Sequence, residues 1–325
     1  MTATVLTVFL IVYLGMILGG LPFLQLDRTG VALLGAIALV AIGDLTPEQA
    51  ALSIHLPTLL LLFSFMVISA QMRLGGFYTW VTLHIARLPW GAPALLGAVI
   101  AVVAALSAVF SNDVVCLAIA PVLAEVCVRR RLAPVPFLLA LACAANIGSA
   151  ATLIGNPQNM LIGAVLKLPF GGYFAEAIVP VVLSLVALWA LLAWQTRGRW
   201  NLVEEPAPQP ARRDEEAPVF DRWQTAKGLA VAGVLVIVFL FTGLPREVAA
   251  LTGAGLLLMS RRLHSTHMLG LVDWELLILF IGLFVVNHAL EHTGLAAQAV
   301  QTLAAGGFAL TEPAPLFAAT LVLSN

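Results

Sequence analysis

Charge is what this sequence has least of. Only 10% of its 325 residues are charged, against 61% hydrophobic, and the mean hydropathy is +1.01. A soluble domain carries about 25% charged residues, so the composition excludes one and marks an integral membrane protein. The 16 basic residues form no patch suited to nucleic acid, and the formal net charge of −1 points to no charged macromolecular partner. Cysteine is scarce as well. Cys116, Cys127 and Cys143 lie inside apolar runs with no CxxC spacing, which reads as small buried hydrophobes rather than soft metal ligands. No basic residue precedes the first apolar run, Val5 to Leu18, which argues against a cleaved signal peptide.

What is present is a series of apolar segments near 4–20, 30–43, 55–72, 94–110, 114–128, 134–149, 160–168 and 176–196. Others follow near 228–243, 247–260, 274–290 and 314–323. A full span needs about 20 apolar residues, so 160–168 is too short to cross alone. Stretch 76–89, with His84 and Arg87 among aromatics, suits an interfacial helix. Residues 198–224 hold Pro206, Pro208, Pro210 and Pro218 with charges of both signs and read as a solvated cytoplasmic linker. The expected organisation is a first transmembrane repeat over 1–197, this linker, and an incomplete second repeat over 225–325.

The two halves echo each other. Val31–Gly35 resembles Ala249–Gly253, Pro57–Phe63 resembles Trp274–Phe280, and Ser111-Asn112 resembles Ser324-Asn325, the faint internal repetition that transporters show. Spans at 4–20, 30–43 and 55–72, a broken helix over 134–168 and a span at 176–196 make an odd number, with 94–128 as a re-entrant hairpin. An odd count inverts the second repeat. With the linker inside, every basic residue except Lys167 and Arg246 is cytoplasmic, as the positive-inside rule asks. Because Asn325 stops where the first half has Asn112, extending the repeat predicts a complete form of about 410 residues.

Two polar clusters interrupt the apolar runs. In Ser111-Asn112-Asp113, hydroxyl, amide and backbone carbonyls can coordinate a cation while the following helix N-terminus faces an anion. Asp113 is the one acid in the middle of an apolar stretch; such a carboxylate is costly in a membrane and points to function, either carrying a proton or balancing a cation. The second cluster runs from Asn146 through Gly148, Ser149, Thr152, Gly155, Asn156 and Pro157 to Asn159. Pro157 breaks the preceding turn, the glycines let backbone approach a ligand, and Asn156-Pro157 can start a new half-helix. The alternatives are a capped inter-helix turn for the first cluster and a kinked helix for the second. So many amides and hydroxyls in one short run favour a lined cavity.

The Ser-Asn-Asp tip, the run Asn146 to Gly155 and the Gly-Asn-Pro-Gln-Asn segment resemble the ion transporter superfamily. That group includes arsenite-efflux permeases, sodium/proton antiporters, citrate carriers and sodium-coupled dicarboxylate or sulfate symporters. The resemblance implies an all-α polytopic membrane protein of two inverted repeats, each with a re-entrant hairpin and a helix broken mid-membrane. On that pattern Ser111, Asn112 and the loop Gly148 to Asn159 form one substrate and cation half-site, with Na+ at Ser111, Asn112 and Gly148. Ser324-Asn325 would begin the other half-site. Dicarboxylate symporters usually carry Thr where this chain has Asp113. Asn-Asp is closer to the arsenite permeases and points to proton coupling. A homodimer is also implied.

The expected function is secondary active transport of a small inorganic or carboxylate anion, or arsenite. Coupling would be to H+ or Na+, with no other cofactor, in a bacterial-type inner or plasma membrane. Sodium/proton antiport is the alternative. A different class is raised by His288-Ala-Leu-Glu291-His292, the HxxEH pattern of inverted zinc proteases; polar residues at a membrane interface explain it better.

Overall fold

Backbone in hydrocarbon must satisfy its own N–H and C=O groups, which leaves the α-helix as the form an apolar run can take. The computed structural model describes residues 2–20, 25–201 and 220–305, with 312, 314–317 and 320. Among these residues there are fifteen named helices and no strand. The first five are α1 (Thr2–Leu18), α2 (Arg28–Ala41), α3 (Pro47–Ser53), α4 (Leu56–Leu74) and α5 (Phe77–Ala86). Next come α6 (Ala92–Ser107), α7 (Asn112–Arg129), α8 (Pro134–Ser149), α9 (Pro157–Val165) and α10 (Phe170–Gln195). The last are α11 (Arg222–Phe241), α12 (Arg246–Leu258), α13 (Ser265–Leu269), α14 (Trp274–His292) and α15 (Leu295–Ala305). Among the described residues α4, α10, α11 and α14 are long and apolar enough to cross a membrane, and α1, α2, α6 and α8 are shorter apolar helices. This is an all-α polytopic membrane protein.

The chain divides into two units. One comprises residues 1–56 and 273–325. In it α2 packs on α14 and α1, burying Val12, Ala32, Leu39, Val286 and Ala289. The approach of α2 and α14 depends on Gly282, where a Cβ would lie 2.7 Å from the Ala32 carbonyl carbon. Side chains close the helix starts: Asp27 accepts from Gly30 N at the head of α2, and Asp273 accepts from Leu276 N at the head of α14. Thr46 and Gln49 form a reciprocal capping box on α3. The Tyr13 hydroxyl donates to Asn287 Oδ1 at 2.9 Å, tying α1 to α14 through one polar pair.

The other unit, residues 57–272, contains the hairpin α6–α7 and the interrupted helix α8–α9. Here α8 packs against α6, α7 and α10, and α5 packs against α7. Stretch 76–89 is indeed helical, as α5, but it buries Phe77, Tyr78 and Thr82 in the unit. The base of the hairpin is fixed by Arg130, whose guanidinium donates to the carbonyls of Ala86, Leu88 and Trp90 at 2.9–3.4 Å. A buried amide pair joins α4 to α11: Gln71 Nε2 donates to Gln224 Oε1 at 2.8 Å and to the Gln224 carbonyl at 3.1 Å. Of the expected linker, 202–219 lies outside the described residues. Its two ends are structured: Trp200 O accepts from Ala133 N, Phe220 stacks on Trp80, and Asp221 caps α11.

The order of elements recurs. Helix starts at Arg28, Pro47, Leu56 and Phe77 return at Arg246, Ser265, Trp274 and Leu295, each 218 residues later. Gly76 and Gly294 obey the same interval, and both take left-handed φ, 69° and 72°, a conformation open to glycine at no steric cost.

Gly282→Ala should destabilise the protein by about 1–3 kcal/mol through overpacking against Ala32. Gly233→Ala, whose added methyl meets nothing within 4 Å, should leave stability unchanged or slightly raised. Thermal unfolding in detergent micelles reads both.

Candidate functional site

The hairpin turns over four residues between Ser107, the last of α6, and Asn112, the first of α7. Phe110 is buried and anchors the turn against Tyr78, ring centroids 6.1 Å apart. Ser111 occupies the N-cap of α7, yet its side chain makes no capping hydrogen bond. Ser111 itself therefore does not supply a side-chain cap to α7. The first-turn N–H groups of α7 keep their partial positive charge, and the buried hydroxyl of Ser111 is not used to close the helix.

Opposite the tip, α8 stops at Ser149 and α9 starts at Pro157. Pro at the first helical position loses nothing, because that N–H has no intrahelical partner. Asn156 caps the new helix by accepting from Asn159 N at 2.8 Å. The seven intervening residues are held by side chains that replace the lost helical bonds. Asn159 Nδ2 donates to the Thr152 carbonyl at 2.9 Å, and Asn156 Nδ2 donates to Ser149 Oγ at 3.1 Å. Ser149 Oγ in turn donates to the Asn146 carbonyl at 2.8 Å. Tyr173, in the first turn of α10, donates its hydroxyl to the Ala150 carbonyl at 3.0 Å.

Two bonds join the tip to the break. Thr152 Oγ1 donates to the Ala108 carbonyl at 2.5 Å, and Asn112 Nδ2 donates to Asn146 Oδ1 at 3.0 Å. Backbone contact reinforces them. A Cβ on Gly148 would overlap the backbone of Ala104 in α6, 2.7 Å from its carbonyl carbon. On Gly155 it would lie 2.7 Å from Ser149 Cα and 2.8 Å from the Ser107 carbonyl oxygen. No larger residue fits either place without displacing backbone.

The structure thus brings Asn112, Asn146, Gly148, Ser149, Thr152, Gly155, Asn156 and Asn159 into one polar junction, with Ser111 at its edge and Pro157 behind. Asp113 sits on the same turn as Asn112 and is exposed. The Gly148 carbonyl accepts from Ala151 N at 3.0 Å, so its clearest contribution is the missing side chain. Ser324 and Asn325 lie outside the described residues. Two buried oxygens at the junction, Asn112 Oδ1 and Ser107 Oγ, have no hydrogen-bond partner among the described residues. The sequence reading missed Ser107, which is fully buried, because it took it as part of the apolar run 94–110. It lies four residues before Ser111 across the hairpin turn, and a lone hydroxyl at the end of an apolar run gave no separate signal. Tyr173 was missed too, being separated by 14 residues from the polar run it serves.

Electrostatically the junction pairs unlike ends. The carbonyl ends of α6 and α8 favour a cation, and the N–H ends of α7 and α9 favour an anion. Behind it, an apolar cavity of about 530 Å³ lies between α6, α8 and α10, reaching Gly148 and Ala151. Elsewhere, His288 and His292 come together on α14. Among the described residues no group of three His, Cys, Asp or Glu could hold a metal ion, so the HxxEH stretch has no third side-chain ligand of the kind a protease site uses.

Comparison with known proteins supplies a family. Residues 7–325 match the family described as CitMHS, citrate transporter. The chain is 31% identical over 337 residues to a 46 kDa membrane protein of Mycobacterium leprae, covering all of this chain and 77% of that one. It is 31% identical over 282 residues to magnetosome protein MamN of Paramagnetospirillum magneticum, covering 83% of this chain and 64% of that protein. Over 163 residues it is 39% identical to a silicon efflux transporter of Oryza sativa subsp. japonica, covering 50% of this chain and 33% of that one.

Thr152→Val should cost about 1–3 kcal/mol, because it leaves the Ala108 carbonyl without its donor inside the protein. Thr152→Ser keeps the hydroxyl and should retain most of the stability. Thermal unfolding of the two variants side by side checks this.

Proposed function

The chain belongs to the CitMHS citrate transporter family, and from that premise we propose that it carries a small carboxylate anion, citrate foremost, by alternating access coupled to a cation gradient. One observation carries the coupling: the partnerless oxygens Ser107 Oγ and Asn112 Oδ1 at the meeting of tip and break. A buried oxygen without a donor costs about 1–3 kcal/mol, and a bound cation would relieve it. Carbonyls at the ends of interrupted helices coordinate Na+ or H+ in transporters, while half-helix N-termini face the anionic substrate. Ser107, Ser111 and Asn112 are the cation ligands in this proposal. Asn146 and Asn156 face the substrate, and Asp113 carries a proton or balances the cation.

The same proposal gives α6–α7 a re-entrant course. At 16 residues α6 is about 24 Å long, short of a hydrocarbon core of about 30 Å. The recurrence of helix starts at a constant interval supports a second repeat, which the proposal takes as inverted. A second reading is efflux of a small inorganic oxyacid such as arsenite. The observation in its favour is the 39% identity to a silicon efflux transporter.

The test is flux into proteoliposomes of labelled citrate and arsenite under imposed pH or sodium gradients. Wild type, Asp113→Asn and Ser107→Ala are compared. Citrate flux driven by pH and reduced about tenfold or more in Asp113→Asn supports proton coupling through that carboxylate. Citrate flux driven by sodium and weakened in Ser107→Ala supports the oxygen site. Arsenite flux without citrate flux overturns the carboxylate reading, and flux indifferent to both substitutions overturns the site.

A further inference from the structure

The last turn of α14 carries a feature that transport of an anion does not use. His288 and His292 stand one turn apart on that helix. Their Nε2 atoms approach to 3.0 Å, and the rings are nearly perpendicular, at 87°, with centroids 4.4 Å apart. Residues at i and i+4 share a helix face, but sharing a face does not require two imidazoles to aim the same nitrogen at one point. Without a ligand, one Nε2–H donating to the other Nε2 accounts for the approach. A metal ion that displaces the shared proton, leaving each ring protonated at Nδ1, would take both Nε2 lone pairs as a chelate.

The ligand type narrows the ion. Imidazole suits Cu(II), Ni(II) and Zn(II), and the affinity of such nitrogen ligands for divalent first-row metals rises through Ni(II) to a maximum at Cu(II). Tetragonal ions also leave cis positions that water can fill around an open pair of nitrogen ligands.

We propose that His288 and His292 are a two-histidine chelating site for a divalent transition metal of tetragonal preference, Cu(II) or Ni(II), with water completing the coordination. The surroundings fit an ion arriving from solvent. His292 is exposed and His288 half-buried, and the carbonyl end of a helix favours a cation. Glu291, exposed on the same turn, adds negative charge beside the pair. No third His, Cys, Asp or Glu joins the pair among the described residues. The site is therefore open and exchangeable, unlike closed four-ligand structural sites. After it the chain turns through Gly294 at φ +72° into α15, so a bound ion would pin the final turn of α14 just before that reversal.

The experiment titrates the whole purified chain, carrying no histidine tag, with Ni(II), Cu(II) and Zn(II) chloride. Isothermal calorimetry is the readout, with electron paramagnetic resonance for copper. The expected result is saturable Cu(II) and Ni(II) binding, with a nitrogen-rich tetragonal copper spectrum. Affinity should fall about a hundredfold in His288→Ala and in His292→Ala, the loss when chelation drops to a single imidazole. His288→Gln keeps a polar side chain of similar reach and should lose the metal while retaining the wild-type melting temperature. Exposed His264 and His267, with rings 5.8 Å apart, supply the control, and their double alanine variant should bind as wild type does. Absence of saturable binding overturns the proposal. So does binding that survives loss of His288 in a folded variant, or a marked preference for Zn(II).

Discussion

A peptide group released from its helix inside hydrocarbon has no water to turn to. That constraint governs the region around the break in α8–α9. Seven residues leave the helix between Ser149 and Pro157, and polar side chains stand where their carbonyls and N–H groups need partners. Tyr173 serves Ala150, Asn159 serves Thr152, and Asn156 caps the restart. In a chain that is 61% hydrophobic, these side chains cannot be incidental surface. Ser107 Oγ and Asn112 Oδ1 beside the break are among the buried side-chain atoms that have no partner among the described residues.

Packing in both units follows a second constraint, the need for helices to meet closely where lipid offers no hydrophobic advantage to burial. Small residues at the crossing allow backbone contact. Gly282 against Ala32 does this in one unit, and Gly148 against Ala104 does it in the other. Polar pairs then fix which helices meet: Tyr13 with Asn287, Gln71 with Gln224. In the second pair Gln71 is completely buried and Gln224 nearly so; the pairing satisfies Gln71 Nε2, whereas its Oε1 has no partner among the described residues.

Much of this was legible in the sequence because apolar runs and helices obey one rule. The segments at 134–149 and 160–168 became α8 and α9, with the interruption where Gly155, Asn156 and Pro157 predicted it. The short helices α3 and α13 were not legible; seven and five residues long, they carry too few turns for periodicity to show. Ser107 was hidden for a different reason. A single hydroxyl in an apolar run looks like a residue bonded to its own helix, and only the fold reveals that this one is not. The equal spacing of helix starts was visible only as scattered echoes, because side chains diverge while turn positions such as Gly76 and Gly294 are retained by their backbone.

The absence of a side chain at Gly148 has a kinematic consequence. Where Ala104 and Gly148 meet, backbone lies on backbone, and no flexible side chain is available there to absorb sliding. The interlock is repeated by Gly155 against Ser107 and by Thr152 against Ala108. Three such fasteners within one short region remove the freedom of the hairpin tip relative to the broken helix. Any displacement of α8 would therefore carry the tip with it, the two moving as one stiff body.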